Sequence, residues 1–330
     1  MRIVIFGDGP WAAATAARLA DDEHEIVGVV PRTTPTSPAL QQWALEWGAP
    51  VLRFASCNEP ASVAMVRALG AELGVSVAYD QILRAPARAA TTHGVVNLHA
   101  GMLPRYRGRN VINWAIINGE TEIGVTAHWV DDGIDSGDII AQRALPIALD
   151  DDYGAVLARV VATIPGMAAE VVSAIARGTA PRVPQDESRA TYFGGRREGD
   201  EWIDWSLTGR EIHDLIRGIS RPGPGARTTL DGREVTIWRA AWDPAWPRYT
   251  AIPGQVVGRR PDGASVVKTG DGTLLVREVQ LEGAGERAGA PRWRIGTRLG
   301  PSLAAELRAL RRRVAELEGA VDREAYHASR

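Results

Sequence analysis

A short apolar strand that ends in polar residues most constrains how this chain can fold. Residues 94–96 form the apolar run, and Asn97 and His99 follow it directly. Side chains of a strand alternate between its two faces, so Asn97 and His99 are predicted to lie on the same face. An acidic, glycine-containing loop at residues 131–138 follows a second apolar run. An amide and an imidazole at a strand end, with carboxylates in a nearby loop, can hold a reacting carbonyl group and accept a proton.

The segments before this strand predict an α/β fold. Residues 3–6 and 25–30 read as strands on either side of an alanine-rich helix at residues 12–20. That order is the beginning of a βαβ unit. Helical and strand patterns continue to alternate as far as a long helical pattern at residues 151–177, which Pro165 is expected to interrupt.

The turn after the first strand approximates the glycine fingerprint of dinucleotide-binding folds, with Gly7, Gly9 and Ala12 at the required spacing. That fingerprint also requires an acidic residue at the end of the second strand to bind the ribose. Here Pro31 and Arg32 follow that strand. An arginine could bind a 2′-phosphate, which leaves NADP as an alternative, but a tight turn that closes a Rossmann-like sheet is the preferred interpretation.

The pattern changes after residue 189. Residues 178–189 contain two prolines and predict a linker. Several short strands separated by glycine-containing turns then predict a small barrel. We expect a catalytic α/β domain over residues 1–189, a barrel domain over residues 190–298 and a helical tail over residues 299–330.

The tail carries an apolar heptad seam flanked by charged residues. It consists of Leu303, Leu307, Leu310, Val314, Leu317 and Val321. The seam is short, so pairing with a second chain and packing against its own chain are both open interpretations.

Charge and cysteine content exclude some classes of function. The net charge of −2 argues against a non-specific nucleic-acid binder, because such domains are usually basic. The single cysteine, Cys57, excludes an internal disulfide framework and a cysteine-based zinc site. We expect a cytoplasmic protein, with no signal peptide and no apolar stretch long enough to span a membrane.

The central stretch resembles the signature of the 10-formyltetrahydrofolate-dependent formyltransferases. The segment NLHAGMLPRYRGRNVINWA begins at Asn97, and the segment HWVDDGIDSGDII begins at His128. Asn97 and His99 match the family's Asn-x-His, and Asp135 matches its distant aspartate. One departure is Ala100, where the family usually has proline, and this change affects loop stiffness rather than chemistry.

The resemblance implies a Rossmann-like domain followed by an OB-like barrel, with 10-formyltetrahydrofolate as co-substrate and no metal. In such an N-formyltransferase Asn97 would donate a hydrogen bond to the oxyanion, His99 would accept the proton of the amine, and Asp135 would orient His99. The residues expected to line the folate pocket are Gln81, Ile82, Leu83, Arg109, Asp131, Asp132, Gly133 and Ile134. The candidates for binding the amine substrate are Arg105, Tyr106, Arg107 and Trp114. His128 is expected to be a buried, hydrogen-bonded residue of the second strand.

The loop after Tyr106 bears on which amine is formylated. The tRNA enzymes of the family usually continue Arg-Gly-Ala-Ala-Pro-Ile-Gln, whereas this chain continues RGRNVINW from Arg107. This variant resembles enzymes that act on nucleotide-linked amino sugars or on small amines such as hydroxyornithine. We therefore expect a nucleotide-linked amino sugar as the acceptor, in a homodimeric enzyme with no nucleic-acid partner. Another small amine, methionyl-tRNA, a hydrolase and a folate-binding module without catalysis follow as alternatives.

Overall fold

The computed structural model of this chain describes residues 1–248, 250–283, 288–300, 307 and 310–317. Two compact units make up the chain. The first contains residues 1–200 and 217–223, and the second contains residues 201–216 and the chain from residue 224 onward.

The first unit is a six-stranded mixed sheet covered by helices. Its sheet order is β2-β1-β3-β4-β6-β7, with β1 to β4 parallel and β6 antiparallel to both of its neighbours. This arrangement confirms the predicted Rossmann-like α/β fold. The elements are β1 (Arg2–Gly7), α1 (Gly9–Asp21), β2 (Glu25–Pro31), α2 (Ala39–Glu46), α3 (Pro60–Ala68), β3 (Leu73–Val77), α4 (Ala85–Arg88), β4 (Val95–His99), β5 (Arg107–Gly108), α5 (Val111–Ile117), β6 (Glu122–Trp129), β7 (Ile139–Pro146), α6 (Tyr153–Ala176) and β8 (Tyr192–Phe193).

Close packing accounts for the glycine that follows β1. A Cβ atom on Gly7 would lie 2.5 Å from the Cβ of Ala12 and 2.7 Å from the carbonyl oxygen of Val77. Only glycine therefore allows α1 to approach β1 and β3 this closely. Ala12, Ala16 and Leu19, spaced at helical intervals, bury the inner face of α1 against the sheet.

Two elements differ from the sequence prediction. The sequence pattern at residues 59–73 predicts a single helix, whereas α3 ends at Ala68 and β3 begins at Leu73. Gly70, with φ of +62°, turns the chain between the two elements. Helix α6 continues through Pro165, because the apolar face on both sides of the proline packs into the core.

Helix α6 is long and apolar enough to cross a membrane, judged by length and composition alone. This differs from the expectation that no apolar stretch of the chain has that length. Its buried side chains, which include Val160, Ile164 and Val171, pack in the core of the first unit.

The second unit contains a five-stranded antiparallel sheet in the order β11-β12-β13-β10-β9. Leu299 pairs with Leu230 and Arg298 pairs with Gln255, so one short segment joins the two edges of the sheet into a barrel. The sequence pattern predicts strands at residues 235–238, 254–257, 265–267 and 274–279, which overlap β10, β11, β12 and β13, and it does not predict β9. The elements are α7 (Gly209–Gly218), β9 (Ala226–Leu230), β10 (Arg233–Ala241), β11 (Val256–Arg259), β12 (Ser265–Lys268) and β13 (Thr273–Leu281).

Part of the predicted tail seam lies within the described residues. Residues 310–317 are helical. Leu310, Val314 and Leu317 are each more than half exposed, as is Leu307. Leu303 and Val321 lie outside the described residues.

Candidate active site

The structure brings Asn97, His99 and Asp135 together at the end of β4. Asn97 and His99 are two residues apart on this strand and face the loop between β6 and β7, which carries Asp135. Asp135 Oδ1 lies 3.4 Å from Asn97 Nδ2, and Asp135 Oδ2 lies 3.6 Å from His99 Nδ1. The alternation of side chains along the strand therefore predicts correctly that Asn97 and His99 lie on the same face of β4.

A backbone carbonyl group fixes the orientation of His99. The imidazole is buried, and its Nε2 lies 2.6 Å from the carbonyl oxygen of Tyr106. A carbonyl oxygen can only accept, so Nε2 carries the hydrogen and donates it. The other nitrogen, Nδ1, faces Asp135 and is the atom of this ring that can gain or lose a proton. Tyr106 has φ of +62°, a left-handed conformation that is rare for a bulky residue.

Asp135 is held as a carboxylate by its neighbours. Burial by itself raises the pKa of its carboxyl group, but the charges of His99 and His128 and the backbone N–H of Gly108 outweigh burial and hold that pKa well below its usual range. The Gly108 N–H donates to Asp135 Oδ2 over 2.9 Å. Asp135 also has a left-handed backbone, with φ of +52°. The group therefore stays negatively charged at neutral pH and can stabilise a proton on His99 Nδ1.

His128 is buried and hydrogen-bonded, as the sequence predicts, and it also belongs to the same cluster. Its Nδ1 donates to the carbonyl oxygen of Trp129 over 2.8 Å, which leaves Nε2 facing the site. That nitrogen lies 3.2 Å from Asn97 Nδ2 and 3.5 Å from Asp135 Oδ1. His128 pairs directly with Asn97 across β4 and β6, so a correct antiparallel register would have identified it.

One arginine that the sequence analysis missed connects the two loops expected to line the folate pocket. Arg88 Nη1 donates to the carbonyl oxygens of Leu83 and Asp131, over 2.8 and 2.9 Å. Arg88 Nη2 forms an ion pair with the exposed carboxylate of Asp132 at 2.8 Å. The side chain is largely buried in this position. Its signal in the sequence is weak, because nothing in the local pattern separates it from Arg84 at the other end of α4.

The loop after β3 carries an exposed apolar side chain and a buried polar atom without a partner. Ile82 is 55% exposed, and Ile134 in the acidic loop is 50% exposed, whereas Leu83 is buried in the core. Asp80 Oδ1 is buried and has no hydrogen-bond partner among the described residues. A buried acceptor without a partner is costly, so this position suits a ligand that carries N–H donors.

Other predicted folate residues hold their own loops. The Gln81 amide accepts from the backbone N–H of Cys57 over 2.8 Å and donates to the Thr33 hydroxyl over 3.0 Å. Arg109 donates to the carbonyl oxygen of Asp80 over 2.9 Å. In the acidic loop, Asp131 accepts from Ser136 and from the backbone N–H of Gly133, which stabilises the turn before Asp135.

Three of the four predicted substrate residues lie around a stack of aromatic rings. Tyr106 and Trp114 both stack on Phe193, with ring centroids 4.9 and 5.8 Å from it. Burial and a hydrogen bond to Glu120 raise the pKa of Tyr106 to about 12, so its hydroxyl stays protonated. Arg105 is partly exposed and lies 3.7 Å from the Glu120 carboxylate. Trp114 Nε1 donates to the carbonyl oxygen of Gly194, so its role here is packing.

Arg107 does not fit the expectation that it binds the amine substrate. Its side chain is completely buried. The guanidinium group forms a two-oxygen ion pair with Glu187 and donates to Gln185 Oε1 and to the Tyr192 hydroxyl. These partners occupy its donors, so Arg107 is a structural residue in this arrangement.

The cluster as a whole suits acyl transfer. Asn97 supplies an amide N–H, His99 supplies one nitrogen that can accept a proton, and Asp135 supplies a fixed negative charge. No group of three or more His, Cys, Asp or Glu side chains in the described part of the chain is arranged to hold a metal ion.

Comparisons with known proteins cover both units. The family model described as formyl transferase matches residues 1–172, and that described as formyl transferase, C-terminal domain, matches residues 197–292. A methionyl-tRNA formyltransferase from Geobacter metallireducens is 33% identical, over 92% of this chain and 98% of its own length. Another, from Symbiobacterium thermophilum, is 37% identical over 86% of this chain and 89% of its length. The solved structure of WlaRD, a sugar 3N-formyl transferase, has a TM-score of 0.65 and 19% identity, covering 86% of this chain and 98% of its own, so it shares the fold.

Proposed function

The chain belongs to the 10-formyltetrahydrofolate-dependent formyltransferase family, and we propose that it formylates the amino group of methionyl-tRNA. It is an N-formyltransferase, with 10-formyltetrahydrofolate as its co-substrate. The proposal for the acceptor rests on relatives named methionyl-tRNA formyltransferase that align with this chain through the barrel as well as through the catalytic unit.

The expectation of a nucleotide-linked amino sugar is wrong, because the curated relatives at 33–37% identity are named methionyl-tRNA formyltransferases. The expectation that nucleic acid is no partner falls for the same reason. Two features explain the error. The unusual residues Arg109 and Asn110 contact the protein's own chain, where they bind Asp80 and the backbone of Arg196. Net charge, in addition, averages over the whole surface and says little about one patch.

In the proposed mechanism the amine nitrogen attacks the formyl carbon, and Asn97 donates a hydrogen bond to the oxygen that becomes negative. Its longer contact, 3.4 Å to Asp135, is the one that the substrate oxygen would replace. His99 accepts the proton of the amine at Nδ1, and Asp135 stabilises that proton. The bond between the formyl carbon and N10 then breaks, and His99 returns the proton to N10. The products are formylated amine and tetrahydrofolate.

The loops joined by Arg88 suit the folate. The exposed side chains of Ile82 and Ile134 offer apolar contacts, and the unpartnered Asp80 Oδ1 offers an acceptor. A pterin has flat apolar faces and N–H donors at its edge, so these groups match its chemistry. We propose that Arg88 keeps the two loops at the separation that the pterin requires.

We expect Arg88→Met to raise the KM for 10-formyltetrahydrofolate about tenfold and to change kcat little. The variant removes two hydrogen bonds to backbone carbonyl groups. Their loss lowers the free energy that holds the two loops in place by roughly 1–2 kcal/mol. Steady-state kinetics at saturating methionyl-tRNA measures the effect. Arg67→Met, at an exposed position of α3, is the matched control and should behave as wild type. An unchanged KM for the folate in Arg88→Met would contradict this role.

A basic surface on the barrel supports a polyanionic acceptor. Five exposed arginines lie along β11, the turn that follows it and the segment that closes the barrel. The backbone N–H of Arg292 donates to Gly263, and Arg298 pairs with Gln255, which brings these parts of the chain together. Among the described residues none of the five is in an ion pair with a carboxylate. They are Arg259, Arg260, Arg292, Arg294 and Arg298.

We expect the double variant Arg259→Gln/Arg260→Gln to raise the KM for methionyl-tRNA and to leave the KM for the folate unchanged. If both arginines contact phosphates, the slope of log(kcat/KM) against log salt concentration should fall by roughly one to two. Arg239→Gln, on a strand that does not pair with β11, serves as the control for loss of one exposed charge. Equal salt slopes in wild type, in the double variant and in Arg239→Gln would show that this surface does not bind the tRNA.

A comparison of acceptors tests the proposed function. Purified enzyme and 10-formyltetrahydrofolate are incubated with methionyl-tRNA, uncharged tRNA, free methionine or a panel of aminodeoxysugar nucleotides, and tetrahydrofolate release is followed. We expect release only with methionyl-tRNA. Transfer to a sugar nucleotide with none to methionyl-tRNA would overturn the proposal. A tRNA substrate is also consistent with the expected cytoplasmic location.

A further inference from the structure

We propose that Gln185 is a positioning residue for formyl transfer, which it supports by fixing the backbone of the loop that carries Asp135. This inference rests on the proposed function for its kinetic test. The residue lies in the segment predicted to be a linker. In the structure that segment returns to the sheet, where Val183 pairs with Ile139 at the start of β7. The segment thus forms part of the catalytic unit.

Both hydrogens of the Gln185 amide are used on the Asp135 loop. Nε2 donates to the carbonyl oxygen of Asp135 and to the carbonyl oxygen of Gly137, each over 2.8 Å. These two carbonyl groups lie on either side of Ser136. These two hydrogen bonds fix the direction in which the backbone leaves Asp135. Asp135 has a left-handed backbone conformation, with φ of +52°, which a residue other than glycine rarely adopts without such support. The direction of the Asp135 side chain depends on this backbone.

Arg107 determines which way the Gln185 amide faces. Arg107 Nε and Nη2 donate to Gln185 Oε1 over 3.1 and 2.8 Å. A guanidinium group has no acceptor, so the oxygen of the amide must face Arg107 and the nitrogen must face the loop. Glu187 in turn holds Arg107 through both of its carboxylate oxygens, over 2.6 and 2.9 Å. The buried guanidinium group of Arg107, held in place by Glu187, therefore gives the Gln185 amide a single orientation.

The next residue along the strand acts on the carboxylate itself. Gly108 N–H donates to Asp135 Oδ2, the oxygen that faces His99 Nδ1. A Cβ atom on Gly108 would lie 2.2 Å from the carbonyl oxygen of Phe193, so the pairing of β5 with β8 requires glycine there. Two consecutive residues of β5 thus control Asp135. Arg107 acts on the backbone through Gln185, and Gly108 acts on the carboxylate directly.

Two substitutions separate positioning from a general structural role. Gln185→Met keeps the length of the side chain and loses both kinds of hydrogen bond. Gln185→Glu keeps an acceptor for Arg107 but presents a carboxylate to two carbonyl oxygens, to which it cannot donate. If Gln185 only stabilised Arg107, the Glu variant would retain activity. If Gln185 positions Asp135, both variants lose it.

We expect both variants to lower kcat for formylation of methionyl-tRNA by roughly 30- to 100-fold, because small misplacements of catalytic groups have effects of this size. The KM for methionyl-tRNA should stay within about twofold of wild type. The KM for 10-formyltetrahydrofolate should rise much less than kcat falls, because Gln185 holds the loop at Asp135 and Gly137, after the proposed folate contact Ile134. Ser188→Ala, which removes a hydrogen bond to Asp186 in the same segment, is the control and should keep wild-type kcat.

A second readout needs no substrate. The ¹⁵N resonance of His99 Nδ1 should move in both Gln185 variants toward its position in Asp135→Asn, and it should not move in Ser188→Ala. Wild-type turnover by Gln185→Glu, or an unchanged His99 resonance in both variants, would overturn the inference. If wild type fails to formylate methionyl-tRNA, the proposed function falls, and the His99 resonance alone decides the role of Gln185.

Discussion

A His99→Asn variant is expected to lose formyl transfer to methionyl-tRNA by roughly 10²–10⁴-fold, the range for removal of a general base. In the structure the ring's Nε2 is used by the carbonyl group of Tyr106, and Nδ1 faces Asp135 at 3.6 Å. An asparagine supplies no group that accepts a proton near neutral pH. Steady-state kinetics measures the loss, and calorimetry should give nearly wild-type folate binding, because the proposed folate loops do not include His99.

His93→Asn is the matched control, since it makes the same substitution at an exposed histidine just before β4. Its turnover should equal that of wild type. Wild-type turnover by His99→Asn would show that the proposed base is wrong. A loss of folate binding equal to the loss of turnover would assign His99 to the pocket instead of to the proton transfer.

An Asn97→Ala variant is expected to lower kcat by roughly 10²–10³-fold, the effect of removing one oxyanion donor. The amide Nδ2 lies 3.2 Å from His128 Nε2 and 3.4 Å from Asp135 Oδ1, so both partners orient it. Donation to the oxyanion develops in the transition state, and therefore KM should change little while kcat falls. Rapid-quench measurement of a single turnover separates this chemical step from product release.

Asn97→Asp tests the donor role at nearly constant shape. A carboxylate cannot donate, and it adds a negative charge next to Asp135, so this variant should be at least as impaired as Asn97→Ala. Thr92→Ala, at an exposed position in the preceding turn, is the control. Substantial activity in Asn97→Asp would mean that a different group stabilises the oxyanion.

Local patterns in the sequence predict part of this site. Alternation along β4 places Asn97 and His99 on one face, and this needs no knowledge of the rest of the chain. The position of Asp135 follows from the family signature, because no local rule connects it to a strand almost forty residues earlier in the chain. The contact between His128 and Asn97 depends on strand register, which the sequence pattern leaves open.

Other features depend on contacts between distant parts of the chain. An arginine in a polar, turn-rich loop predicts an exposed side chain, yet Arg107 is fully buried because Gln185, Glu187 and Tyr192 return from far along the chain to surround it. Residues 178–189, which the sequence predicts to be a linker, lie next to the loop that carries Asp135, and Gln185 supports that loop. Packing also outweighs local preference in α6, where the apolar face continues through Pro165.

The central claim concerns the product, and identification of the product tests it most directly. Methionyl-tRNA is incubated with 10-formyltetrahydrofolate and purified enzyme, and the nuclease-released aminoacyl-adenosine is identified by mass spectrometry while tetrahydrofolate is measured in parallel. The account predicts one equivalent of N-formylmethionyl-adenosine for each tetrahydrofolate released, with neither product formed by His99→Asn. Tetrahydrofolate released without formylated methionyl-tRNA, or product formed equally by His99→Asn, would contradict it.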